Sequence, residues 1–325
     1  MRIRDLLIEE RMRLYNEAWK IRKELGVGFV RTANKLGIPR DAVRHWFHHG
    51  RNPYNEVFRN KFEEKPSSEL SYVIGVVMGD GNLSIKRRGN STQRQIRLRV
   101  NHKEFAERFS VIISKLLGKR KDYKIGKDGR QYVVHAASHQ LYDFLKRPFE
   151  EFKPFIEKFP AEFIQGFVDS EGSIIATVCK AKGRMWLQSY ISITNTNLEF
   201  LIYTKELLTK HFGIESKIKA SHKKGSSFLS PKGKIFKRTK DAFDLRIYGI
   251  HNIKLFNQRI GFTILEKRQK VCDIINIFNC WKPLERRGVW LNTYAKYNNR
   301  WVRKNLSKIT LSAIKADVGG DDLAS

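Results

Sequence analysis

Asp80 and Glu171 stand in the same setting twice. Each is the eighth residue of a nine-residue stretch, Val-Ile-Gly-Val-Val-Met-Gly-Asp-Gly from Val73 to Gly81 and Ile-Gln-Gly-Phe-Val-Asp-Ser-Glu-Gly from Ile164 to Gly172. Glycine holds the third and ninth positions of both, and apolar residues hold the first, fourth and fifth. If each stretch is the C-terminal part of a helix, Gly75 and Gly79 share one face, as do Gly166 and Ser170, because residues four apart are helical neighbours. Small residues on such faces let two backbones approach closely. Packing through these faces brings the two helix ends, and both acids, to one place. Gly81 and Gly172 then read as left-handed terminators that turn each helix into a strand.

That placement is electrostatically awkward. A carboxylate at a helix C-terminus meets the negative end of the dipole, at roughly 0.3–1 kcal/mol each, and two adjacent carboxylates repel. A divalent cation between them removes the conflict. Carboxylate oxygens, carbonyls freed at the helix ends and water suit Mg²⁺. A metal held against a phosphate oxygen can activate water and stabilise a leaving oxygen. The chemistry indicated is hydrolysis of a phosphodiester.

Similar elements follow each acid in the same order. After Gly81 come the segments 82–90 and 95–101; in the latter Ile96, Leu98 and Val100 alternate with Gln95, Arg97, Arg99 and Asn101, a half-buried strand with a basic outer face. Residues 104–118 read as an amphipathic helix closed by Gly118, 123–136 as a hairpin turning at Lys127-Asp128-Gly129, and 140–149 as a short helix. The second half gives strands at 173–178 and 187–195, a helix at 198–213 closed by Gly213, a hairpin pair at 216–221 and 243–249, and a last short helix. Each half is helix, strand, strand, helix, strand, strand, helix, and this shared order supports a duplication more than either motif alone. The loop His222–Lys240 holds seven cations (Lys223, Lys224, Lys232, Lys234, Lys237, Arg238 and Lys240) and no acid. It is either a solvated loop or one laid along phosphates.

Lys and Arg number 63 against 33 acids among 325 residues, for a net charge of +30, and 41% of residues are hydrophobic. The core is ample for more than one domain. The charge points to a polyanion, nucleic acid before membrane, rather than to an unspecialised basic surface. No apolar run approaches the ~20 residues of a bilayer span, and the N-terminus lacks an apolar signal core. Cys179, Cys272 and Cys280 sit at no metal-ligand spacing and read as reduced thiols. An intracellular protein is expected, cytoplasmic or nucleoid-associated, with an organelle left open.

Residues 1–62 read as a helical unit. A charged helix at 5–24 precedes helices at Val30–Leu36 and Pro39–His48, with Gly37 as the stop between them. Ala33, Gly37 and Val43 stand at helix-turn-helix offsets: a small residue at the contact, glycine in the turn, an apolar residue beneath the second helix. That second helix would read DNA with Arg40, Asp41, Arg44, His45 and His48; the alternative is a packed hairpin with no ligand. Residues 63–71 read as a polar linker. In the tail, Trp290, Tyr294, Tyr297 and Trp301 fall at helical spacing among cations, either a helix docked on the body or a base-stacking surface.

The two stretches resemble the signature motifs of a single-chain LAGLIDADG homing endonuclease, over about residues 69 to 278. The resemblance implies an α+β fold. Two pseudo-symmetric αββαββα halves, 69–158 and 159–280, would form a saddle of antiparallel sheets on the DNA major groove, between the helix-turn-helix unit (1–62) and a basic aromatic tail (281–325). It implies that Asp80 and Glu171 bind Mg²⁺ or another divalent cation, with the carbonyls of Gly79 and Ser170 completing the shell, and direct water onto two scissile phosphates. The family's cut is double-stranded and staggered, with 3′ overhangs. One chain carries both acids, so a monomer is expected. Met78 replaces the first acid of the first motif while Asp169 keeps it in the second, at a position that is usually structural. For the polar and lysine side chains that the family places beside its metals, the candidates are His102 and Asn195 as water-ordering groups at matched places, and Lys103, Lys217 or Lys219 for charge. These last also read as solvent-facing or DNA-backbone contacts. The DNA-binding candidates are Arg40, Arg44, His45, Arg87, Arg88, Arg97, Arg99, Lys223, Lys224, Lys234, Lys237, Arg238 and Arg246.

Two rivals remain at this stage: a non-catalytic DNA-binding regulator built from the same parts, and a maturase that binds host intron RNA. An intein is disfavoured because residue 1 is Met, the last residues are Ala324-Ser325, and His251-Asn252 is internal; a free-standing or intron-encoded enzyme is expected.

Overall fold

The computed structural model describes residues 3, 6, 8–53, 62–88, 91–181, 183–229, 233–297 and 300–304. The N-terminal unit is three helices, α1 (Ile8–Leu25), α2 (Phe29–Leu36) and α3 (Arg40–His48). They close on a small core of Ala18, Ala33, Ile38, Val43 and Trp46. Gly37 adopts φ 62° and lets Ile38 bond back to the Ala33 carbonyl at 3.1 Å. Pro39 precedes α3 rather than sitting in its first turn, because its ψ of 134° is extended. The start of the charged helix expected at residue 5 lies outside the described residues.

The first half begins sooner than the expected linker allows. The Ser67 hydroxyl accepts a hydrogen bond from the Leu70 amide at 3.1 Å and starts α4 (Ser68–Met78). There follow β1 (Gly81–Arg88), β2 (Ser91–Val100), α5 (Lys103–Leu116), β3 (Ile125–Asp128), β4 (Gln131–Ala137) and α6 (His139–Leu145). A 3₁₀ turn at Phe149–Phe152 and the short α7 (Lys153–Ile156) lead into the second half. That half holds α8 (Pro160–Glu171), β5 (Gly172–Ala181), β6 (Arg184–Asn195), α9 (Leu198–Phe212), β7 (Lys217–His222), β8 (Ser227–Leu229), β9 (Ile235–Lys237), β10 (Ala242–Tyr248) and α10 (Ile250–Arg259). The αββαββα order is present twice.

The two main sheets have the same antiparallel topology, β1-β2-β4-β3 and β5-β6-β10-β7. Side chains alternate across each strand. Leu83, Ile96 and Ala136 are cross-strand neighbours on the helix-covered face of the first sheet, and Ile174, Ile191 and Ile247 on that of the second. The opposite face of the first sheet carries Asn82, Arg97 and His135; that of the second carries Ser173, Ser192, Arg246 and Lys217. One continuous core runs through both halves and includes α4 and α8.

Two expectations are corrected. The basic loop after β7 contains a hairpin, β8 paired to β9, with the Phe228 and Phe236 rings stacked at 5.8 Å. The aromatic tail is not one helix. After α11 (Leu265–Cys280) and α12 (Arg286–Thr293), the chain turns extended at Tyr294 and forms β11 (Tyr294–Tyr297) and β12 (Arg300–Arg303). Trp290 is fully buried, stacks on Tyr294 at 4.0 Å and meets Trp301 edge-on at 5.7 Å. Burying these rings together favours breaking the helix over continuing it. The remainder of the tail lies outside the described residues.

Candidate active site

The site starts from glycine. A methyl group on Gly75 would overlap the carbonyl oxygen of Phe163 and come 2.9 Å from the Phe167 amide; one on Gly166 would overlap the carbonyl of Tyr72 and come 3.0 Å from the Val76 amide. Each glycine thus faces the carbonyl three residues before its counterpart and the amide one residue after it, which is a twofold relation written in backbone atoms. At the lower end Gly79 leaves room for the Ser170 hydroxyl, which a methyl would approach to 2.9 Å. The helices α4 and α8 therefore touch backbone to backbone, and their C-terminal ends lie together. Gly81 and Gly172 are not left-handed terminators as expected. Neither has a positive φ; Gly172 is extended at φ −84°, ψ 146°. Space is what they supply: a methyl would lie 2.5 Å from the Val77 Cα or the Val168 carbonyl, because each strand folds tightly back against its own helix.

Asp80 and Glu171 sit just past these contacts. Glu171 ends α8 and is half-buried; Asp80 follows α4 by two residues and is exposed. Desolvation raises the Glu171 carboxyl, and the charge of Asp80 raises it further, from 4.5 to about 7. Asp80 is also raised by desolvation, against the pull of Lys267. A methyl on Gly79, the residue before Asp80, would lie 3.2 Å from the Glu171 Cγ, so the two halves bring one acid each to the same end of the helix pair.

Asp169 plays a different part. It accepts from the Tyr72 hydroxyl at 3.3 Å and from the Thr263 amide at 2.8 Å. These bonds tie one motif helix to the other and to the segment before α11, as a structural acid should. Its counterpart Met78 is a half-buried apolar contact.

One functional residue was missed. Lys267, in the first turn of α11, donates to the Asp169 carbonyl at 2.9 Å and the Val168 carbonyl at 3.3 Å. It caps the C-terminal end of α8, where cations are favoured. Desolvation lowers its pKa, opposed by the charges of Asp169, Asp80, Glu266 and Glu171. In the sequence it is one cation of several in a charged helix; only the docking of α11 separates it from Arg268.

With this geometry established, comparison with known proteins places the second half. The model of the LAGLIDADG-like domain matches residues 158–261. That stretch is therefore similar to a LAGLIDADG-like domain. The first half repeats the order of elements of that LAGLIDADG-like half. An uncharacterized protein of Methanocaldococcus jannaschii, MJ0398, is 29% identical over 282 residues, covering 84% of this chain and 97% of that protein. Among solved structures, I-DmoI in complex with DNA and Mn superposes with a TM-score of 0.42 at 20% identity, over 60% of this chain and 96% of that one. The meganuclease I-SmaMI bound to uncleaveable DNA gives 0.44 at 13% identity, over 78% and 98%.

Around the carboxylate pair the remaining candidates divide. Asn195 donates to Glu171 at 3.3 Å. His102 is not its match. Gly81 and Gly172 pair with Leu98 and Ile193, so two residues further on Asn195 corresponds to buried Val100. His102 instead corresponds to Asn197, each preceding the first residue of its half's second helix. The two acids are therefore supported unequally. Lys103 is exposed and paired to Glu107 at 2.7 Å on its own helix. Lys217 and Lys219 lie on β7, the far edge of the second sheet from β5, roughly 14 Å away at ~4.8 Å per strand. None of these three lysines reaches the acids; Lys217 and Lys219 lie on the exposed sheet face beside Arg246 and Asp244.

Arg97 and Arg99 share the outer face of β2 and lean toward Asp128 at 3.6 and 3.2 Å. Arg246 pairs with Asp244 at 2.7 Å and lies over the Tyr190 ring at 5.1 Å. Lys223, Lys224, Lys234 and Lys237 are exposed on or beside the β8–β9 hairpin, and Arg238 covers Phe228 at 4.8 Å. Arg87 has the parity of Leu83 and Ile85, so it points away from the face of Arg97. The Arg88 side chain lies outside the described residues. On α3, Arg40 and Arg44 are exposed, with Arg44 3.4 Å from Asp41; the half-buried His45 bonds through Nδ1 to the Asp41 carbonyl at 2.5 Å. Among the described residues no group of three or more His, Cys, Asp or Glu could hold a metal, and no helix is long and apolar enough to cross a membrane.

Proposed function

We propose that this chain is a site-specific endonuclease that hydrolyses a phosphodiester in each strand of double-stranded DNA. The observation that carries the reading is the pair Asp80 and Glu171, one from each half, held together by helices in backbone contact and each destabilised as an anion by its surroundings. Two hard oxygen donors, desolvated and mutually repelling, fit a divalent cation, and with few protein ligands the rest of its shell falls to carbonyls, water and phosphate, as suits Mg²⁺. Asp80 and Glu171 would hold it, with the carbonyls of Gly79 and Ser170. When bound, such a cation lowers the pKa of water and neutralises charge on a phosphate. Asn195 orients Glu171 through its amide, and Lys267 fixes the end of α8 while offsetting part of the negative charge.

The exposed faces of both sheets, with Arg97, Arg99, Arg246, Lys217 and Lys219, would follow the DNA backbone and bases. The β8–β9 hairpin and α3 extend that contact to flanking DNA. A staggered cut with 3′ overhangs and action as a monomer complete the proposal. Incubation of the chain with a plasmid library of randomised sites and Mg²⁺ should give linear product, absent with Asp80→Asn or Glu171→Gln. Tight, metal-independent binding with no cutting would identify a regulator, and retention of cutting by both variants would remove the acids from the chemistry.

A further inference from the structure

Beside the carboxylate pair lies a cavity of about 530 Å³, within the roughly 300–1,000 Å³ of ligand pockets. Its floor is the edge strand β5, from Ser173 to Thr177; its walls are Asn101 and His102 after β2, Glu266, Lys267 and Lys270 on α11, and Lys296, Arg300 and Trp301 on the β11–β12 hairpin. Four cations face one carboxylate. Lys267 is already committed to the Val168 and Asp169 carbonyls and to the acid pair. Lys270, Lys296 and Arg300 are not: their side chains make no hydrogen bond or ion pair to another described residue, and Lys270 feels only the charge of Glu266 one turn before it on α11.

The cations are held in place from outside the αββαββα halves. Tyr294 donates to Asp273 at 2.7 Å and Arg303 pairs with the same carboxylate at 3.1 Å, which pins the hairpin to α11. Buried Trp290 stacks on Tyr294 and packs against Trp301. These contacts fix Lys296 and Trp301, which share one face of the hairpin, and Arg300 beside its turn, around the cavity that Lys270 also lines. Without a ligand, like charges lining one cavity repel and cost stability; an anion reverses that sign.

We propose that this cavity takes a sugar-phosphate unit of the DNA strand next to the carboxylate pair, with Lys270, Lys296 and Arg300 on the phosphate and Trp301 against the sugar. The inference rests on the DNA reading above, and it makes the C-terminal extension part of strand binding rather than a structural brace. Its place beside Lys267 and Ser173, two residues past Glu171, puts the phosphate close to the one under attack.

The test is the salt dependence of binding of the full chain, with EDTA present, to a fluorescein-labelled 30-base-pair duplex of random sequence. Each phosphate contact contributes about 0.9 to the slope of log K against log salt. Lys270→Gln with Arg300→Gln should lower the slope by about 0.9, the contribution of one phosphate, while Lys158→Gln with Lys205→Gln, exposed cations elsewhere on the chain, should leave it unchanged; matching melting temperatures exclude a folding defect. Lys270→Arg should keep the wild-type slope. A wild-type slope in the Lys270→Gln, Arg300→Gln variant overturns the proposal while leaving the DNA reading intact. Failure of the wild-type chain to bind the duplex overturns both. Thermal protection by inorganic phosphate or thymidine monophosphate at micromolar concentration, lost in the same variant while duplex binding is unaffected, would make the cavity a small-anion site and also overturn the proposal.

Discussion

Replacing Glu171 with glutamine should stabilise the metal-free protein, and only above the acid range. The Glu171 carboxyl titrates at about 7 in the folded chain against 4.5 ordinarily, through burial first and Asp80 second. A carboxyl whose folded pKa is raised holds more protons folded than unfolded, so stability falls as pH rises from about 4.5 to about 7 and is flat above. At ~1.4 kcal/mol per unit, ionised Glu171 costs the folded state about 3 kcal/mol at alkaline pH. Integrated over the titration, wild type should lose roughly 2.5 kcal/mol relative to Glu171→Gln between pH 5 and pH 8. For a body of this size that is roughly 5 °C in melting temperature. Glutamine keeps the length of the side chain and an oxygen for the Asn195 amide, so packing is preserved. Differential scanning calorimetry in EDTA at pH 5, 6, 7 and 8 measures the gap. Mg²⁺ or Mn²⁺ at about 1,000 times its Kd should reverse its sign, because such a ligand adds about 4.1 kcal/mol to wild type alone. A gap that is equal at pH 5 and pH 8 would show that the carboxylate is neither desolvated nor beside Asp80, and the site with it would fail.

Gly75→Ala and Gly166→Ala each force a methyl into the opposite backbone, so each should cost roughly 1–3 kcal/mol or more by overpacking, read as a lower melting temperature and, at the same distance, reduced metal protection. Lys267→Met removes two hydrogen bonds and a nearby positive charge; it should cost about 1–3 kcal/mol and move the Glu171 midpoint upward in the pH series above. Trp290→Ala should cost about 3–5 kcal/mol and release the β11–β12 hairpin to limited proteolysis. DNA affinity should fall ~10³-fold between 50 and 200 mM salt; a flat response would exclude the basic sheet faces as the contact surface.

The duplicated motif was legible because its requirements are local and repeated. A glycine at the third position of each stretch, an acid at the eighth and matched downstream periodicities are properties of single segments, and two copies make chance an inadequate explanation. Thus the αββαββα order, the backbone contact of α4 with α8, and Asp80 beside Glu171 follow from residue types and spacing. The tertiary structure decided what depends on where separate segments dock. Lys267 is one cation in a charged run until α11 sets it on the end of α8. Asn195 and His102 look equivalent until strand register pairs Gly172 with Ile193 and Gly81 with Leu98. Tyr294 continues a helical aromatic pattern until stacking on Trp290 turns it into a strand. Even the closing glycines, Gly81 and Gly172, are there for room rather than for handedness. Periodicity within a segment reports which face is buried; it carries no information about the partner that buries it, and at this site the partner sets the charge.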